Sequence, residues 1–126
     1  MNDSYSSHEW IYKQRWIGPS VKAAINSFPV VVITGARQVG KSTFLQNEFS
    51  DFKYISLDDY SILSQAKKDP SSLWKDASRV VIDEAQKSPG LFSAIKLTVD
   101  RTQRKIRFIL SGSANLLLMK EVSETL

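Results

Sequence analysis

Gly35-Ala36-Arg37-Gln38-Val39-Gly40-Lys41-Ser42 sets a glycine at each end of a short loop and closes it with a lysine and a hydroxyl. The stretch fits G-x-x-x-x-G-K-[ST] without mismatch, the spacing of a phosphate-binding P-loop. The chemistry explains the residue types. Gly35 and Gly40 let the backbone approach a ligand where a Cβ would obstruct it. The N–H groups of the loop, those of Ala36, Arg37, Gln38 and Val39 included, then point inward as an anion nest beside the positive end of the following helix. Lys41 reaches β- and γ-phosphates, and the Ser42 hydroxyl is placed to ligate Mg2+. Thr43 is expected on the face of that helix, within reach of an α-phosphate.

A second group of reactive side chains lies downstream. Arg79-Val80-Val81-Ile82-Asp83-Glu84 is an apolar run that ends in two carboxylates, a Walker B pattern. A strand in a parallel sheet is buried on both faces, so a continuous apolar run is expected rather than alternation. Its carboxylates emerge at the C-terminal strand end, the edge at which open α/β sheets bind ligands. Asp83 is the candidate metal holder, mostly through water. Glu84 is the candidate to orient and deprotonate an attacking water. The same run also describes a strand that merely enters an acidic turn. The distance from Lys41 favours the chemical reading, because it leaves room for one more strand and a helical connection.

The elements that must position these groups follow from local pattern. Phe28-Pro29-Val30-Val31-Val32-Ile33-Thr34 reads as a buried strand leading into the loop, and a helix is expected from about Lys41 to Phe49. Phe52–Leu57 alternates as a second strand and ends at Asp58-Asp59. Those acids either face the site or cap a helix over Tyr60–Lys67, and the cap is the favoured reading. Asp69-Pro70-Ser71-Ser72 is a turn, with Leu73-Trp74 docking a short helix. Ser88-Pro89-Gly90 opens a helix carrying Leu91, Ile95, Leu97 and Val99. Arg107–Leu110 is a fourth strand, and Leu116–Met119 starts a last apolar helix. At the N-terminus Ser6 and Glu9 resemble a capping box, which predicts a short amphipathic helix carrying Trp10, Ile11, Trp16 and Ile17. Gly18-Pro19 breaks it, and Val21, Ala24, Ile25 and Phe28 resume helical spacing. Its aromatics suit a core better than an adenine-stacking platform. The chain therefore divides into an N-terminal helical segment, 1–27, and a P-loop core, 28–126.

Composition narrows the classes. The 126 residues suffice for one domain, and 42% apolar content is ordinary for a globular chain. There is no cysteine, hence neither a disulfide nor a thiolate metal site. His8 is the only histidine, which argues against a histidine metal centre or a Ser-His-Asp triad. Neither a basic region followed by an apolar stretch at the N-terminus nor a run long enough to span a bilayer is present, so a soluble cytoplasmic protein without membrane contact is expected. The formal charge is +4. The densest basic cluster, Arg101-Thr102-Gln103-Arg104-Lys105-Ile106-Arg107, reads as a solvated helix end or as a contact for nucleic-acid phosphates. Because it precedes a strand, it is expected on the side of the sheet opposite the P-loop.

Three segments in order, Ile33–Thr43 with Arg37-Gln38 inside the loop, Ile82-Asp83-Glu84-Ala85-Gln86, and Ile109-Leu110-Ser111-Gly112-Ser113-Ala114-Asn115, resemble a family of prokaryotic AAA-like ATPases. In that family a P-loop core precedes an uncharacterised C-terminal domain. The resemblance runs from about Tyr12 onward. It implies an AAA-type fold, a three-layer α/β/α core on a mostly parallel sheet, with ATP and Mg2+ as cofactors. It also implies a polar sensor after the fourth strand, at Ser111 with Ser113 second, hydrogen-bonded to a γ-phosphate or attacking water. Ser111-Gly112-Ser113 is otherwise a polar turn at a strand end. Family members continue past the position of Leu126 into another strand, arginine-bearing segments and a helical lid. The resemblance thus implies an N-terminal fragment truncated after the fourth strand, with ATP binding retained and hydrolysis weak or absent. It further implies homo-oligomeric rings in which a neighbour's arginine completes the site.

Two other classes stay open on sequence alone. A small-molecule P-loop kinase would use Asp58 or Asp59 on its acceptor. A non-catalytic nucleotide switch or nucleic-acid-binding module would use the Arg101–Arg107 cluster. A GTPase is disfavoured because no Asn-Lys-x-Asp motif occurs.

Overall fold

The computed structural model of the chain describes residues 10–13, 18–34, 41–103, 105–113 and 116. Its strands are β1 (Trp10–Lys13), β2 (Val30–Thr34), β3 (Lys53–Ser56), β4 (Arg79–Asp83) and β5 (Arg107–Gly112). They form one sheet in the order β1-β2-β5-β4-β3, and every neighbouring pair is parallel. The helices are α1 (Gly18–Ser27), α2 (Lys41–Glu48), α3 (Tyr60–Lys68) and α4 (Leu91–Arg101). Short 3₁₀ segments occupy Pro70–Trp74 and Ala85–Lys87.

β2, β4 and β5 are buried on both faces because helices cover both. On one face Val31, Ile33, Val81 and Ile109 pack with Val21, Ala24 and Ile25 of α1, Leu45 of α2, Phe49 and Phe52. On the other, Val30, Val32, Val80, Ile82, Phe108 and Leu110 pack with Ala66 of α3 and with Leu91, Phe92, Ile95 and Val99 of α4. The result is the three-layer α/β/α arrangement on a parallel sheet expected of a P-loop fold. Phe108 sits at the centre of the second layer, edge-on to Trp74 with ring centroids 5.0 Å apart. The Trp74 indole N–H donates to the Thr98 hydroxyl at 3.1 Å, so the buried ring leaves no polar atom unmet.

Two local expectations need correction. Trp10–Lys13 forms a parallel strand beside β2, where helical spacing had suggested the start of a helix. The run Trp-Ile-Tyr is rich in aromatic and β-branched residues, and an open β2 edge offers it a ladder of backbone partners. Gly18-Pro19 starts α1 rather than only ending a preceding element, with proline in the first helical turn where its missing N–H costs nothing. The helix expected to carry Leu91, Ile95, Leu97 and Val99 forms as α4, with Leu97 half exposed. The expected helix beyond Leu116 lies outside the described residues.

The chain order creates the crevice that matters. From β2 the chain crosses through α2 to the far edge, then returns through β4 to β5, which lies directly against β2. The connection after β2 leads to α2 on one face, and that after β4 leads to α4 on the other. A crevice opens at the C-terminal strand ends, where connections part to opposite faces.

Asp59 caps α3, its carboxylate accepting from the backbone N–H groups of Ser61 and Ile62. Asp58 instead pairs with Lys87. The Ser61 hydroxyl and the backbone N–H groups of Ile62 and Ser61 favour the ionised form of Asp59 and hold its carboxyl below the usual carboxylate value. The stability this contributes is present in full above the unfolded value near 3.8 and is lost as pH falls through the lower folded value. Asp59→Asn keeps the acceptor but not the charge, and should flatten the fall of Tm below roughly pH 4. Asp59→Ala should lower Tm at neutral pH as well, and thermal melts across that range check both outcomes.

Candidate functional site

The site is built where α2 begins and β4 and β5 end. Lys41 and Ser42 are the first two residues of α2. Asp83 is the last residue of β4, and Ser111 is the penultimate residue of β5. Register explains the convergence. Ile33 of β2 pairs with Ser111, and Ile82 of β4 pairs with Leu110, so Asp83 and Ser111 are carried to the same level of the sheet.

Asp83 is the centre of the cluster and is 1% exposed. Its Oδ2 accepts from Ser42 Oγ at 2.7 Å and from Tyr54 Oη at 2.7 Å. Its Oδ1 accepts from Ser111 Oγ at 2.6 Å and from the Glu84 backbone N–H at 3.0 Å. Burial by itself would push the Asp83 carboxyl up, but the hydroxyls of Ser111, Tyr54 and Ser42 and the charge of Lys41 outweigh it and hold it below the usual carboxylate range. Burial also raises the Tyr54 phenol, and its hydrogen bond to the neighbouring Asp83 charge adds to this against the Ser42 and Ser56 hydroxyls. Asp83 is therefore an anion that donors surround, as a buried carboxylate must be.

The Lys41 ammonium lies between two carboxylates, 3.7 Å from Asp83 Oδ1 and 3.5 Å from Glu84 Oε2. Both contacts are longer than the 2.7–2.9 Å or so of a good charge-assisted hydrogen bond. Lys41 is thus neutralised but loosely held, and a phosphate oxygen could take it at shorter range. Glu84 has φ 60° and ψ 41°, a left-handed conformation uncommon outside glycine, asparagine and aspartate. Its other carboxylate oxygen, Oε1, accepts from Gln86 Nε2 at 2.8 Å.

The donor set fits a magnesium nucleotide. Mg2+ favours a few protein oxygens completed by waters and phosphates. Ser42 Oγ and the Asp83 carboxylate supply such oxygens side by side. Among the described residues no cluster of three or more His, Cys, Asp or Glu could cage a metal by itself. That leaves the coordination Mg2+ shares with phosphate as the arrangement these residues suit.

Five residues singled out from sequence, Lys41, Ser42, Asp83, Glu84 and Ser111, are brought together. Thr43 is exposed on α2. Gly35, Ala36, Arg37, Gln38, Val39 and Gly40 lie outside the described residues. Ser111 belongs to β5 itself and is fully buried, rather than part of a turn beyond it. Asp58 and Asp59 are engaged by Lys87 and by α3. Arg101 and Lys105 line a cavity of about 660 Å³ with Trp74, Thr98 and Ile106. It lies near the N-terminal end of β5, away from the carboxylates. No helix among the described residues is long and apolar enough to cross a membrane.

Sequence reasoning missed Tyr54 and gave Gln86 no task. The signal for Tyr54 was a phenol on the short strand β3, on the face opposite Ile55 and Leu57. Which carboxylate it meets depends on β3 lying beside β4, with Ser56 in register with Asp83.

The profile of a family described as AAA domain matches residues 27–126. Two uncharacterised mycobacterial proteins, from Mycobacterium tuberculosis and Mycobacterium bovis, are each 30% identical over 118 residues, 92% of this chain. The chain spans 27% of the length of these relatives. No solved structure matches it.

Removing the donors of Asp83 should reduce stability in order of burial. Ser111→Ala leaves the buried Asp83 Oδ1 only the Glu84 backbone N–H among its described hydrogen-bond donors and should cost about 1–3 kcal/mol. Tyr54→Phe, at a half-buried position, should cost about 1 kcal/mol. Urea denaturation of the nucleotide-free protein measures both.

Proposed function

Because the chain belongs to the AAA domain family, a family of nucleotide-binding P-loop modules, we propose that it binds MgATP in the crevice between α2 and the ends of β4 and β5. The observation that supports this most is the 2.7 Å contact from Ser42 Oγ to the Asp83 carboxylate, with Lys41 beside it. It brings the last residues of the P-loop motif onto the carboxylates of the Walker B strand. In this reading the N–H groups of Gly35 through Gly40 cradle the phosphates, and Lys41 leaves Glu84 for the β- and γ-phosphate oxygens. Thr43 stands at the α-phosphate. Ser42 and Asp83 would hold Mg2+, which would supply positive charge to offset that of the phosphates.

The same residues define a route to hydrolysis. With Lys41 drawn to the phosphates, the Glu84 carboxylate is freed to orient a water and accept its proton. Ser111 lies behind Asp83, and as the polar sensor its hydroxyl would have to leave Asp83 to reach the γ-phosphate or the attacking water. In this reading the chain is an ATPase module whose products are ADP and phosphate. The kinase alternative has no support from Asp58 or Asp59, whose carboxylates serve an ion pair and a helix cap.

Titration calorimetry tests the reading. The wild type should bind MgATP and MgADP saturably and MgGTP more weakly. Lys41→Ala should weaken MgATP binding by about 10–100-fold, the worth of a hydrogen bond to a charged group. Glu84→Gln should keep MgATP binding and abolish phosphate release. A Glu84→Gln protein that no longer binds MgATP would remove Glu84 from its assigned task.

A further inference from the structure

Gln86 makes two contacts that meet opposite demands. Its Nε2 donates to Glu84 Oε1 at 2.8 Å, and its Oε1 accepts from the Ser113 backbone N–H at 3.3 Å. One end of the amide thus holds the carboxylate at the end of β4, and the other holds the main chain just past β5. Glutamate in this place would set an acceptor against an acceptor, and asparagine would be a methylene short. The amide lies across Gly112. A Cβ on Gly112 would come within 2.1 Å of Gln86 Oε1, so that position has room for the amide only while it carries no side chain. Backbone freedom is not the reason for this glycine, since Gly112 lies within the regular ladder of β5.

The charges around Glu84 indicate what the link does. Its carboxylate has Lys41 on one oxygen and Gln86 on the other. When phosphate draws Lys41 away, the Gln86 hydrogen bond remains. Glu84 also sits in a left-handed backbone conformation, which persists only where the surroundings hold it. The 3₁₀ segment Ala85–Lys87 begins there, so Gln86 returns over the residue it restrains.

We propose that Gln86 is the positioning residue of Glu84, fixing its carboxylate to the end of β5 so that Glu84 and the Ser111–Ser113 segment move as one unit when nucleotide binds. The inference rests on the MgATP reading above and deepens it. Gly112 is part of the same device, because its missing side chain is what admits the amide.

The test compares wild type, Gln86→Met, Gly112→Ala and the double variant. Gln86→Met keeps the length of the side chain and removes both hydrogen bonds. Gly112→Ala leaves Gln86 in the chain but displaces the free end of its side chain. Hydrogen–deuterium exchange is followed at residues 83–88 and 108–113, without nucleotide and with the non-hydrolysable MgAMP-PNP. In the nucleotide-free protein both single variants should exchange about five-fold faster at Ser113, the loss of one ordinary hydrogen bond. In wild type MgAMP-PNP should slow both segments together. In the variants it should slow 108–113 without 83–88. Calorimetry should find MgAMP-PNP affinity within about three-fold of wild type, and phosphate release should fall on the order of 100-fold in kcat with KM little changed. The double variant should match either single variant, since both remove the same contact. Unchanged exchange in the nucleotide-free variants, or segments that still respond together, overturns the role of Gln86 while leaving MgATP binding intact. A wild type that binds no nucleotide in the calorimeter overturns both readings, and the binding isotherm tells the two failures apart.

Discussion

A buried carboxylate must be surrounded by donors, and the end of the sheet is organised around that demand at Asp83. Its four hydrogen bonds come from α2, β3, the residue after β4, and β5. Each comes from a different part of the chain, so the carboxylate is satisfied only when those elements are docked in register. Without them an ionised group at 1% exposure would be untenable. With them the carboxyl stays ionised despite its burial.

The sheet order makes this possible. β5 returns to lie between β2 and β4, so the start of α2 and the end of β4 face each other across one intervening strand. That strand is too central to carry a bulky group at its C-terminal end. Ser111 is small and donates to Asp83, and Gly112 is smaller still and leaves room for Gln86. The two apolar layers hold the strands at fixed height. Phe108 and Leu110 anchor β5 from one face and Ile109 from the other, just below these polar positions.

The cluster is also frustrated in a way that suits ligand exchange. Lys41 bridges two carboxylates at distances longer than a good hydrogen bond, and Glu84 occupies a left-handed backbone conformation. Neither feature maximises stability by itself. Asp83, by contrast, accepts four described hydrogen bonds of 2.6–3.0 Å.

The sequence alone determined what local pattern can carry: the apolar runs of β2, β4 and β5, the cap at Asp59, and the lysine–serine and aspartate–glutamate pairs that draw attention to one sheet edge. Periodicity and spacing report the conformation of a few consecutive residues, and these elements depend on little else. It misread Trp10–Lys13, because an isolated amphipathic run is compatible with either a helix or a strand until a neighbouring edge offers it hydrogen bonds. Only the tertiary structure decided that Tyr54 and Ser111 meet Asp83, that Gln86 joins Glu84 to Ser113, and that Gly112 is small for the sake of an amide. Those contacts join residues distant in sequence. They are set by strand order and register, which hydrogen bonding across the whole sheet and packing on both its faces determine together.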